Sequence, residues 1–146
     1  MPLITRLFIK SGMIFFLIAL FFGVIAQTEL FTISSIVPLF WHTLMVGWIS
    51  QIIIGVSMWM FPGRTKEESF VHQKWGWLTF LFLNAGLALR IISEPFVVPH
   101  EGRPIEVILI VSALFQFLAA LTFVTEIWPR VISKKERLRK RRSGGQ

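Results

Sequence analysis

Between Phe31 and Gly63 the chain runs for 33 residues without a lysine, arginine, aspartate or glutamate. A helix needs about 17–25 predominantly apolar residues to cross the hydrocarbon core of a bilayer. Three further runs have the same character. Ser11 to Thr28 is uncharged behind Arg6 and Lys10, Trp75 to Leu89 is uncharged, and so is Val107 to Thr125. Backbone groups in lipid must find their hydrogen bonds internally, so such runs become helices. Short connections make neighbours antiparallel. The expected fold is all-α: an integral-membrane, up-down-up-down four-helix bundle. Its spans lie at about 7–27, 37–61, 72–93 and 104–127, ahead of a basic tail at 130–146.

Local signals set the ends of the spans. Pro38 suits a first helical turn, where its missing N–H costs little. Pro62-Gly63 stops the second span. Thr65-Lys66-Glu67-Glu68 matches a capping box and predicts a helix start. Glu94 precedes Pro95 and Trp128 precedes Pro129, and a residue before proline disfavours helix. Glu106, in the first turn of the last span, is favoured there by the helix dipole.

With four spans both termini fall on one side. Thirteen of the fifteen lysines and arginines then lie with the termini, and only Arg90 and Arg103 lie opposite. Basic residues near span ends stay cytoplasmic, which predicts both termini inside a bacterial-type inner membrane. Trp59, Trp75, Trp77 and Trp128 gather at the inner interface and Trp41 at the outer one. The first run ends at Gln27-Thr28-Glu29 without a small-x-small site, so no cleaved signal peptide is expected. The net charge of +7 therefore reads as topology, and the tail as a contact for anionic lipid at ~1 kcal/mol per residue, not for nucleic acid. The chain has no cysteine, which excludes disulfides, thiolate metal sites and thiol nucleophiles. It has no phosphate loop, no paired carboxylates within a span and no Ser/His/Asp set, so hydrolase and transferase chemistry has no candidates.

Five residues are candidates for a site. His42 lies about one turn inside the second span, near the outer face. An imidazole there is either a metal or haem ligand or an interfacial histidine bonded to a neighbour. Gly47 and Gly55 share a face with Gln51 between them, and admit either a neighbouring helix or a flat macrocycle. Gln51 and Asn84 both fall at mid-membrane and are expected to bond to each other. Arg90 is four residues before Glu94, as an intrahelical pair or as a partner for a propionate. His100, in the outer loop, is a second axial ligand or a surface residue. His72 falls at the cytoplasmic end, on the wrong side to share a metal with His42.

His42, Gly47-Trp48, Gly55, Trp59 and Pro62 together resemble the second helix of haem–copper oxidase catalytic subunits. The likeness is to the cbb3-type and nitric-oxide-reductase branch and its short four-span relatives. Leu83-Asn84-Ala85-Gly86-Leu87, with Arg90 and Glu94-Pro95 after it, resembles the next helix of those relatives. The resemblance covers residues 37–95. It implies that His42 is an axial ligand of haem b, whose sixth ligand would come from His100, a second copy's His42, a partner subunit or nothing. It also implies a respiratory, electron-transfer or sensing role, as a homo-oligomer or with other membrane subunits, and a quinone or cytochrome as redox partner. The full subunits have many more spans, which carry the second axial histidine and the binuclear-centre ligands. This chain is therefore not expected to reduce oxygen or nitric oxide by itself. The rival expectation is a non-haem accessory or assembly subunit. A small transporter would need a polar path, for which only Gln51 and Asn84 qualify.

Overall fold

The computed structural model describes residues 2–28, 36–61, 69–96 and 103–131, without the side chains at 69–73, 96, 103 and 129. The capping box at Thr65, Pro62-Gly63, His100 and nearly all of the basic tail lie outside the described residues.

The described residues form four long helices. Helix α1 is Leu3–Ala26 and α2 is Ile36–Met60. Helix α3 is Ser69–Ser93 and α4 is Arg103–Ile127. All four are long and apolar enough to cross a membrane. Two of them end in a single 3-10 turn built around a proline, at Glu94–Phe96 and Trp128–Arg130. Proline offers no N–H to continue the ladder and restricts the residue before it. Helix α2 gives way to extended backbone at Phe61, with φ −78° and ψ 120°, immediately before Pro62.

Close approaches fix the topology. Along α1 and α2, Phe8 meets Gly55, Ile52 meets Gly12, Phe15 meets Gly47 and Phe40 meets Gly23. Rising numbers on one helix against falling numbers on the other mean antiparallel packing. Helix α3 runs back along α2, with Leu87 against Gly47 and Met58 against Gly76. Helix α4 runs back along α3, with Ser112 against Gly86 and Thr122 against Thr79. The bundle is up-down-up-down. Ile4, Phe8, Ile54, Leu83 and Ala119, from all four helices, form the core in the half remote from His42. Phe8 and Phe80 meet edge to face there at 5.1 Å.

Hydrogen bonds made by side chains join the helices at several levels. Ser11 Oγ donates to Gln51 Oε1, and Gln51 Nε2 donates to Asn84 Oδ1 at 3.1 Å. Asn84 Nδ2 donates to the Phe80 carbonyl at 2.8 Å. Ser112 Oγ donates to the Gly86 carbonyl at 2.7 Å, and Thr79 and Thr122 hydroxyls lie 2.9 Å apart. Such bonds are worth about 0.6–2 kcal/mol each between helices in lipid. Elsewhere the surface is apolar: Leu17, Phe21, Ile110, Phe117 and Trp128 are each at least 60% exposed.

Helix α2 is not uniformly α. It is α-helical over Ile36–His42, π-helical over Thr43–Ser50 and α-helical again over Gln51–Met60. Ser50 Oγ donates to the Met45 carbonyl five residues back, at 2.8 Å. His42 and Gln51 are nine residues apart, which an unbroken α-helix would place about 180° apart. The wider π turn advances each residue by a smaller angle and brings both onto the side of α3.

Candidate functional site at the His42 end

The site starts from the first turn of α2. Pro38 fixes the backbone there and His42 follows one turn later. His42 Nδ1 lies 2.9 Å from the Pro38 carbonyl oxygen. A carbonyl only accepts, so Nδ1 is the donor, and in the neutral ring Nε2 is then the acceptor. Anchoring one ring nitrogen in this way fixes the tautomer and the orientation of the other.

Helix α3 supplies the second half. It ends at Ser93, and the turn into Pro95 places Glu94 against α2. Glu94 Oε1 lies 3.8 Å from His42 Nδ1. Glu94 Oε2 lies 3.4 Å from Arg90 Nε, one turn back on the same helix. The Glu94 side chain is only 7% exposed, against 20% for Arg90 and 34% for His42. Neither Arg90 Nε nor Glu94 Oε2 makes a hydrogen bond among the described residues. The cluster is thus a carboxylate held between a guanidinium and an imidazole, with hydrogen-bonding capacity to spare.

The structure separates the other candidates. A Cβ on Gly47 would lie 2.8 Å from Leu87 Cδ2 and 2.9 Å from Phe15 Cβ. One on Gly55 would lie 2.9 Å from Phe8 Cβ. Neighbouring helices therefore occupy the faces of both glycines, which leave no slot for a flat macrocycle. His72 sits at the start of α3 and Glu94 just past its end, about 30 Å apart at 1.5 Å per residue. An open groove of about 690 Å³ lies between α1 and α2 near Gly23, Val24, Phe40 and Trp41, and His42 is not in its lining. Among the described residues no three histidine or acidic side chains come together as a metal-ligand group.

Haem needs an imidazole with a free nitrogen, which the neutral ring of His42 would offer at Nε2. It also needs apolar walls for the macrocycle, and those are not found at Gly47 or Gly55. Among the described residues His42 stands as a single imidazole near the exposed Trp41 and Met45, without a slot for a macrocycle at Gly47 or Gly55. Glu94 as the partner of His42 was not expected from the sequence. The signal for it is Pro95, which ends α3 at the level of the His42 turn.

No protein-family model matches the chain, and neither the curated proteins nor the solved structures contain a match.

Proposed function

We propose that this chain is a multi-pass inner-membrane protein, with both termini cytoplasmic, that binds haem b near its outer face through His42. The observation that carries the reading is the His42 ring, whose Nδ1 is tied to the Pro38 carbonyl while Nε2 is left for a ligand. The resemblance of residues 37–95 to haem–copper oxidase catalytic subunits supports the same residue. Bound haem supplies one-electron transfer, and the histidine and its surroundings set its potential. The chain's own residues do three things. His42 holds the iron, Pro38 and Glu94 orient the imidazole, and Arg90 offers a cation for a propionate. His100 stands as a further ligand candidate from the outer loop. The role is electron transfer or sensing within a respiratory complex, with a quinone or cytochrome as redox partner.

The filled faces of Gly47 and Gly55 favour a second reading, an accessory or assembly subunit that uses the same fold without haem. There the His42–Glu94–Arg90 cluster would serve to fasten α2 to α3. Protein purified from haem-supplied cells separates the two. The haem reading expects Soret and α bands in the reduced-minus-oxidised spectrum. Their absence leaves the accessory reading.

A further inference from the structure

Helix α2 changes its winding between His42 and Gln51, two residues through which it meets α3. We propose that Thr43–Ser50 is a hinge, on which the outer turns of α2 rotate about the helix axis and so make and break the His42–Glu94 contact. The inference goes beyond both readings above and rests on neither.

Four observations lead to it. First, the winding. A π-helix is rare and occurs mostly as a single turn inside an α-helix, frequently at a functional site. Here it covers eight residues. Either winding pairs backbone N–H and carbonyl groups within the same helix, so a change between them strands none in an apolar surround. With α winding over the same residues, His42 would lie about 180° round from Gln51. Second, the two halves of α2 are held unequally. In the inner half Gln51 is fully buried and bonded to Ser11 on α1 and Asn84 on α3, and Gly55 lies against Phe8. The outer half makes its polar contact with α3 at His42 and Glu94, whose atoms at 3.8 Å are beyond hydrogen-bond length. Third, the outer turns are braced from within. His42 Nδ1 donates to the Pro38 carbonyl, and Thr43 Oγ1 donates to the Leu39 carbonyl at 2.8 Å. They can therefore turn as one piece. Fourth, there is room to turn. The open groove of about 690 Å³ between α1 and α2 borders Val37, Phe40 and Trp41, all on these turns. Within the hinge, Gly47 has no side chain to carry past Phe15 and Leu87. Hinges are commonly a few residues of this kind. Ser50 Oγ, bonded to the carbonyl five residues back, favours the wider winding.

The test uses the full chain in lipid nanodiscs. The chain has no cysteine, so introduced cysteines carry spin labels at chosen positions only. Val37→Cys with Ile92→Cys, both exposed, reports the outer half of α2 against α3. Ile53→Cys with Leu81→Cys, also exposed, reports the inner half. Pulsed EPR measures each distance distribution with and without Ser50→Ala. The expected result is two distances for the outer pair and one for the inner pair. Ser50→Ala should shift the outer ratio by roughly two- to tenfold, the worth of one hydrogen bond, and leave the inner distance unchanged. A single outer distance, an outer ratio indifferent to Ser50→Ala, or equal broadening of both pairs overturns the proposal. The inner pair also reports whether each variant has kept its fold.

Discussion

His42 and Glu94 meet across two helices, with Nδ1 of the imidazole 3.8 Å from Oε1 of a carboxylate whose side chain is 7% exposed. The contact depends on how each helix ends or bends. Pro95 terminates α3 so that Glu94 turns toward α2, and the π-helical stretch after His42 lets that residue and Gln51 face the same neighbour.

Removing Glu94 should loosen this end of the bundle. Glu94→Ala leaves Arg90 beside a site with no anion, and breaking a largely buried pair from one side is costly. We expect a loss of about 1–3 kcal/mol, less than for a fully buried pair because Arg90 is partly exposed. Thermal unfolding in detergent measures it, and an unchanged midpoint contradicts the clamp.

Two glycine substitutions should behave in opposite ways. Gly47→Ala puts a methyl group 2.9 Å from Phe15 Cβ, an atom that moves only with its helix, and should cost about 1–3 kcal/mol. Gly76→Ala meets nothing closer than 3.6 Å, and should be neutral or stabilising by up to about 1 kcal/mol through helix propensity. Equal effects of the two, read as unfolding midpoints, contradict the packing described for α1, α2 and α3.

The chain of bonds from Ser11 through Gln51 to Asn84 makes a third prediction. Asn84→Leu leaves the fully buried Gln51 without its acceptor and should cost about 1–2 kcal/mol. Gln51→Leu combined with Asn84→Leu should cost less than the sum of the two single changes, because the unpaired group is gone. Strict additivity in the same unfolding assay shows that the two side chains do not interact.

Much of the fold was legible because charge is excluded from long stretches of this chain. A span announces itself by the absence of lysine and glutamate, and the prolines at 95 and 129 mark where helices end. The Gln51–Asn84 bond was also legible, since two amides midway along apolar helices have few other partners. The π-helical stretch was not. Its hydrogen bonds skip to the fifth residue without any change in hydrophobicity, so neither period nor composition reports it. The glycine faces were left open by the sequence for the same reason. Whether a helix or a cofactor fills the space above Gly47 depends on Phe15 and Leu87, which lie 32 and 40 residues away in the chain. Ser112 and Thr122, which tie α4 to α3, are single hydroxyls within an apolar run and carry no signal of their partners.

The central claim is that His42 presents Nε2 to a haem iron. The most direct measurement is the reduced-minus-oxidised spectrum of the wild-type chain beside His42→Ala, each purified from haem-supplied cells at matched helical content. The account predicts Soret and α bands in wild type and their loss in the variant. Bands of undiminished intensity in His42→Ala, or none in wild type, would contradict it.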